Sequence, residues 1–176
     1  MITIVEDLQT ISQLEAGELE IDFETFNITE LANDVIHAQE MASNNKNIVL
    51  KVLDNNKNVM VSADRFRIRQ VLTNLVVNSI KYGKEGGATE IRFFDMDENI
   101  LVEVADNGIG IEQKHLSRLF ERFYRVDKHR SREQGGSGLG LAIVKHIIEA
   151  HNQVINVRST EGIGSTFSFT LKKVVK

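Results

Sequence analysis

The stretch Asp64–Tyr82, DRFRIRQVLTNLVVNSIKY, decides the fold. Ile68, Val71, Leu72, Leu75, Val76 and Ile80 recur at i, i+3, i+4 and i+7, the period of a helix with one buried stripe. Asp64 stands where an N-cap belongs. Asn74 and Asn78 are four apart, and Lys81 and Tyr82 lie three and four beyond Asn78, so these polar residues share a second face. Asparagine is a poor helix former, and a partly buried amide needs partners. Two amides beside an ammonium and a phenol therefore mark either a site or a solvated face, and the glycine clusters downstream favour the site.

The chain around this helix has 176 residues, enough for one domain with a real core, or a domain plus an appendage. It is 41% hydrophobic and 26% charged, the composition of a soluble globular domain. A net charge of −4 gives no electrostatic footprint for nucleic acid. No apolar run reaches the roughly 18 residues of a membrane span, and no signal peptide is visible. Cysteine, proline and tryptophan are absent. Disulfides and thiolate metal sites are thereby excluded, and special backbone conformations fall to the 12 glycines, Asn and Asp.

Before the central helix, Met1–Gly17 reads as the end of a helix. Ile4, Leu8, Ile11 and Leu14 form its stripe, and Gly17 sits at the C-cap. So short a helix is rarely stable alone, so it is expected to continue upstream against a partner helix. Glu18–Phe26 alternates loosely as a strand. Asn27 with Glu30 opens a helix over Ile28–Ala42 that buries Leu31, Val35, Ile36 and Met41. Ile48–Val52 and Val59–Val61 read as short strands around the turn Asp54–Asn58.

After it, Gly83–Gly87 breaks the chain. Glu90–Phe94 and Ile100–Ala105 read as paired strands, the second ending in Asp106-Asn107-Gly108-Ile109-Gly110-Ile111. The mostly irregular Glu112–Gly138 carries seven cations against four anions, a basic segment in an acidic chain. So long a segment inside a domain is usually functional. Leu139–His151 is an apolar helix entered through Gly135-Gly136-Ser137-Gly138, with Asn152 suited to a left-handed cap. Val154–Ser159 and Ser165–Lys172 form the last strand pair. The pattern predicts an α+β fold, a two-layer sandwich of a sheet and about three helices.

A glycine cluster that opens a helix can bind an anion through free N–H groups and the helix dipole. Gly135–Gly140 does this without being a P-loop, since Leu141-Ala142 replaces Lys-Ser/Thr, and without a preceding Rossmann strand. Asp106 at a strand end offers a carboxylate to an exocyclic amine such as adenine's. Asn78 offers a neutral oxygen suited to Mg²⁺, Lys81 a charge for phosphate, and Tyr82 a ring to stack on a base.

The order Asn74-x-x-x-Asn78-x-x-Lys81-Tyr82, Asp106-x-Gly108-x-Gly110, Phe120-Glu121-Arg122-Phe123-Tyr124-Arg125, Gly136-x-Gly138-x-Gly140 and Glu161-Gly162-x-Gly164-Ser165-Thr166-Phe167 resembles the catalytic ATP-binding domain of bacterial sensor histidine kinases. These match the family's N, G1, F, G2 and G3 boxes in order, from about Glu18 to Val174. The resemblance implies the Bergerat ATP-binding fold, with helices on a mixed sheet and a flexible lid, here Glu112–Ser137, over ATP and Mg²⁺.

It implies Asn78 as Mg²⁺ ligand with Asn74 on the same wall, and Lys81 and Tyr82 as phosphate and adenine contacts. Asp106 would read the adenine amine with Thr166 as its helper, and Gly108 and Gly110 would admit the base. Gly136, Ser137, Gly138, Leu139, Gly140 and Leu141 match the phosphate loop, and Arg125 the lid arginine on the terminal phosphate. Leu8–Gly17 matches the last turns of the second dimerisation helix, so residues 1–17 are expected to be its remnant and 18–176 the catalytic domain.

None of His37, His115, His129, His146 and His151 has the family's phosphoacceptor setting, and none has metal-ligand spacing. The expectation is a fragment, monomeric alone and dimeric in the intact kinase, that phosphorylates a histidine on a dimerisation domain absent from this chain and signals to a response regulator. It would be the cytoplasmic domain of a membrane-anchored bacterial sensor. Fold relatives that hydrolyse ATP tend to carry Glu four residues before the metal Asn. Asn74 stands there instead and cannot serve as a base for water, so very slow hydrolysis is expected. The competing expectations are a nucleotide-binding interaction module and an anti-sigma-type kinase. Asn152-Gln153 departs from the family's frequent Gly-Gly, with little expected consequence.

Overall fold

A computed structural model describes residues 2–17, 20–53, 59–126 and 138–175. In chain order the elements are α1 (Ile2–Glu15), β1 (Glu24–Asn27), α2 (Ile28–Ala38), α3 (Glu40–Asn44), β2 (Val49–Leu53), β3 (Met60–Ala63) and α4 (Arg65–Lys81). Then come β4 (Ala88–Met96), β5 (Asn99–Asp106), α5 (Gln113–Leu116), α6 (Gly140–Ala150), β6 (Ile155–Thr160) and β7 (Gly164–Lys173). The seven strands form one sheet in the order β1-β3-β7-β5-β4-β2. One edge of β7 is shared, β6 lying along Gly164–Phe169 and β3 along Lys172 and Lys173. All pairs are antiparallel except β2 with β4, so the sheet is mixed.

The helix layer covers one face of this sheet. The stripe of α4 read from the sequence is buried throughout, from Ile68 to Ile80, and joins Ile91, Val102, Val104, Phe167, Phe169 and Leu171 in one core. Full burial of a Val, Leu or Ile is worth about 1.5–3 kcal/mol and a cap about 1, so the stripe outweighs the caps in holding α4. The opposite sheet face is mixed, with Phe94 exposed on it beside polar residues. There Glu103 accepts hydrogen bonds from Arg158 (2.9 Å) and the Ser168 hydroxyl (3.2 Å).

Both ends of α4 are tied. The Asp64 carboxylate accepts from Arg67 N (3.1 Å) through one oxygen and from Asp22 N (3.1 Å) through the other. Asp64 N donates to His151 Nε2 (3.0 Å), and the same ring's Nδ1 lies 2.7 Å from the Ile147 carbonyl. That pair of bonds demands a neutral ring protonated on Nδ1, and burial pushes the His151 pKa down accordingly. At the far end Lys46 Nζ donates to the Ile80 and Lys81 carbonyls, which have no partner within the helix.

Two expectations are corrected. Of the strand expected over Glu18–Phe26, Glu18 and Leu19 lie outside the described residues, and among the rest it covers only Glu24–Asn27, because Asp22 and Phe23 instead cover the start of α4, Phe23 lying edge-on to His151 at 5.4 Å. The helix over Ile28–Ala42, capped as expected by Asn27, breaks at Gln39 and resumes as α3; this leaves Met41 exposed. The strands expected on either side of the turn Asp54–Asn58, which lies outside the described residues, both form, β3 between β1 and β7 and β2 at the opposite edge of the sheet.

Of α1, Ile11 is buried and Leu14 packs on the core, while Val5 and Leu8 are exposed. Gly17 takes the left-handed conformation (φ 69°) that a C-cap needs, and Asn152 does the same after α6 (φ 57°).

Candidate functional site

The described site residues, Thr166 apart, converge where the C-terminal half of α4, the end of β5, the start of α6 and the β6–β7 turn meet. Asn74, Asn78, Lys81 and Tyr82 are half-buried. Asn74 Nδ2 donates to the Gly140 carbonyl (3.2 Å), so its donor is already committed to the first turn of α6. Asn78 differs: its side-chain amide makes no hydrogen bond among the described residues, although it is half-buried. Lys81 Nζ lies 5.5 Å from the centre of the Tyr82 ring.

At the end of β5, Asp106 is largely withdrawn from solvent. Its Oδ1 accepts from Gly108 N (2.9 Å) and Ser165 N (3.4 Å). Burial raises its pKa, against the opposing pull of those two N–H groups. Its Oδ2 makes no hydrogen bond among the described residues. The loop that follows is stitched on two sides. Ile109 N donates to the Tyr82 carbonyl (3.1 Å), and Gly162 N donates to the Ile109 carbonyl (2.7 Å).

Neither of its glycines has space for a side chain. A Cβ on Gly108 would stand 2.4 Å from Tyr82 O, and one on Gly110 (φ 70°) 2.1 Å from Thr160 O. Facing them, a Cβ on Gly164 would stand 2.0 Å from Asp106 O. These glycines are there for contact between backbones, not merely for turns.

Strand register corrects one expected residue. Thr166 lies opposite Ala105 and Arg158, on the sheet face away from Asp106. The residue directly across from Asp106 is Ser165, whose N–H reaches the carboxylate. Alternation along β7 was the available signal: Phe167, Phe169 and Leu171 are the core residues, so Ser165 shares their face and Thr166 does not.

Of the lid expected over Glu112–Ser137, residues 112–126 are described; Gly136 and Ser137 lie outside the described residues. The arm is anchored by buried Leu119 and by Phe120, edge-on to Phe167 at 6.3 Å. Arg118 stacks over the Tyr124 ring at 4.5 Å, and the Tyr124 hydroxyl meets His115 Nδ1. Phe123 N donates to the Gly138 carbonyl (2.9 Å), and a Cβ on Gly138 would lie 3.2 Å from Arg125 Nε. Arg125 is thus brought to the start of α6, where Leu139 supplies no side-chain cap and the N–H groups of the first turn, Leu141 included, have no acceptor within the helix.

Sequence reasoning missed one further contact. Arg122 pairs with Glu15 at the end of α1, and His146 of α6 stands 3.7 Å from the same carboxylate. Burial lowers the His146 pKa against the opposing pull of Glu149, with Arg122 and Lys145 lowering it further.

A carboxylate acceptor beside a glycine-packed loop, an open amide, two cations and a helix start have the makings of a nucleotide site. The model of the histidine kinase-, DNA gyrase B-, and HSP90-like ATPase family matches residues 63–175. The chain belongs to this family. The sensor histidine kinase WalK of Bacillus subtilis (strain 168) is 37% identical over 173 residues, 97% of this chain and 28% of WalK. The chain therefore spans less than a third of that curated relative.

Among solved structures, the full-length kinase ShkA in complex with AMPPNP superposes with a TM-score of 0.87 at 26% identity, covering 99% of this chain and 36% of ShkA. The catalytic domain of the histidine kinase ThkA gives 0.76 at 33% identity over 86% of this chain and 96% of that one. ThkA in complex with the response regulator TrrA gives 0.76 at 29% identity over 98% and 49%. The sheet and helix layer are those of the Bergerat fold, and the chain is an ATP-binding catalytic domain of the sensor histidine kinase type.

Proposed function

We propose that this domain binds Mg-ATP and delivers the γ-phosphoryl group to a histidine carried on another segment or another copy of the kinase, from which it passes to a response regulator. The observation that carries the reading is Asn74. It occupies the position where hydrolytic relatives tend to have a glutamate, and its amide is tied to the Gly140 carbonyl. An amide cannot take a proton from water, so the phosphoryl group is left for a protein nucleophile.

This reading gives each residue a role. Asp106 accepts the amine of adenine, with Gly108 and Gly110 giving the base close approach and Tyr82 a ring to stack on. The N–H groups from Gly138 to Leu141, with Lys81 and Arg125, take the phosphates. Gly136 and Ser137 of the same loop belong to this set by sequence. Asn78 is the metal residue: its uncommitted amide fits a hard cation that takes most of its ligands from phosphate and water. When bound, the ion neutralises charge on the phosphates; Asn78 orients it.

Residues 1–17 are read as the end of the second dimerisation helix, since the exposed Val5 and Leu8 continue a seam whose lower half is packed. Among the described residues no helix is long and apolar enough to cross a membrane, and a membrane anchor belongs to this proposal only as an upstream element.

Mixing this domain with a separately expressed dimerisation and phosphoacceptor domain and labelled ATP tests the transfer. Acid-labile label on histidine is expected, with free phosphate released far more slowly. Rapid phosphate release without protein label would overturn the kinase reading. Asn78→Ala should abolish magnesium-dependent nucleotide binding and leave the melting temperature unchanged. Unaltered affinity would refute its assignment.

A further inference from the structure

We infer that Ser159, a residue of β6 outside every glycine cluster, sets the base preference of the nucleotide site by locking the Ser165 hydroxyl as a hydrogen-bond acceptor. The inference deepens the assignment of Asp106 to the base and rests on it. Register puts Asp106, Ser165 and Ser159 side by side on one sheet face, Asp106 opposite Ser165 and Ser165 opposite Ser159. Both serines are buried.

The hydrogen-bond inventory of Ser159 leaves one solution. Its Oγ lies 2.8 Å from Ile111 N, 2.9 Å from Gly164 O and 2.8 Å from Ser165 Oγ. A hydroxyl has one hydrogen and two lone pairs. The Ile111 N–H donates only, and the Gly164 carbonyl accepts only. The Ser159 hydrogen therefore goes to Gly164 O, and one lone pair receives Ile111 N–H. The remaining lone pair receives the hydrogen of Ser165. Ser159 is then saturated, and Ser165 has no hydrogen left for a ligand.

The consequence reaches the site. Beside the carboxylate of Asp106, which in its ionised form only accepts, Ser165 also presents lone pairs only. A ligand edge placed against both must donate, as an exocyclic amine with two hydrogens does. A carbonyl in the same place, as on guanine, would set acceptor against acceptor away from bulk water. Ser159 touches no ligand and is a positioning residue. Without it, the Ser165 hydroxyl is free to rotate and donate to a carbonyl.

The test is the ratio of ATP to GTP affinity, measured by calorimetry with magnesium on the wild-type domain and on Ser159→Ala, Ser159→Cys and Ser159→Thr, with thermal melts alongside. Wild type is expected to prefer ATP. Losing the control of one hydrogen bond should lower that ratio about fivefold in Ser159→Ala. Ser159→Cys, nearly isosteric and a poor hydrogen-bonding group, should shift the same way and serves if the alanine variant does not fold. Ser159→Thr, with the same hydroxyl valences, should restore the ratio. Folded alanine or cysteine variants that weaken ATP and GTP equally would overturn the inference and leave the Asp106 assignment standing. A wild type without preference for ATP would overturn both.

Discussion

The two ends of the nucleotide site are built differently. At the base end the chain is sewn to itself: the loop Gly108–Ile111 is held by Tyr82, Ser159 and Gly162, and its glycines touch backbone on the far side. At the phosphate end the described contacts are fewer. Asn78 is uncommitted, α6 starts without a side-chain cap, and Phe123 and Gly138 meet through one hydrogen bond. On the reading proposed above, selectivity for the base belongs to contacts already made in the empty fold, whereas the phosphate loop includes residues outside the described ones. A preformed pocket loses little by ordering on binding; an open one leaves room for lid and partner to take part.

The largest effect that tests this contrast comes from two glycines of similar conformation. Gly110 (φ 70°) and Gly162 (φ 82°) both lie in the left-handed region. A Cβ on Gly110 would meet Thr160 O at 2.1 Å, whereas one on Gly162 meets nothing within 4 Å. Gly162→Ala carries only the backbone penalty, about 1 kcal/mol. Gly110→Ala adds a clash with backbone that has no flexible end to move, and should cost on the order of 3 kcal/mol or more in urea denaturation, with base binding lost. Equal, small losses would mean that the base end yields, and the contrast would fail.

Next in size is Asp106→Asn, which separates stability from binding. Burial raises the Asp106 pKa above its unfolded value of 3.8. Between 3.8 and the higher folded value, the folded chain holds a proton that the unfolded chain has released. Stability therefore falls as pH rises through that window and stays lower above it. Asparagine carries no charge and keeps an oxygen for Gly108 N and Ser165 N. The empty variant should melt higher than wild type at pH 7 and lack this slope. Its affinity for ATP should fall about tenfold to hundredfold, the worth of a hydrogen bond to a charged group. A variant that melts lower at pH 7 would mean that the carboxylate supports the empty fold, contrary to its burial.

These residues were not equally legible in the sequence. The α4 stripe and the caps at Asn27, Asp64 and Gly17 depend on neighbours within a turn or two, and there the reading agrees with the structure. Asp106 could be singled out because it ends a strand just before glycines. Alternation with Phe167, Phe169 and Leu171 separates Ser165 from Thr166, but its place beside Asp106 depends on a pairing with β5 some sixty residues earlier. The positions of β2 and β3 likewise depend on partners distant in the chain. Local chemistry names the residues, and non-local register decides which way they point.

The smallest effect concerns the α1 junction. Glu15 and Arg122 are both partly exposed, and such pairs contribute about 0–1 kcal/mol, so Glu15→Gln should barely move the melting temperature. Its consequence should be local. Arg122 precedes Phe123, whose N–H is bonded to Gly138 beside Arg125, so a loosened Arg122 should raise hydrogen exchange at the Phe123 amide by a few-fold. The Gly108 amide, held by Asp106 at the other end, should exchange as before. If both amides accelerate together, α1 supports the whole domain and the two ends are not held independently. If Phe123 alone responds, the last turn of α1 has a direct hold on the arm that carries Arg125, and movement of that helix would reach the phosphate end without passing through the base pocket.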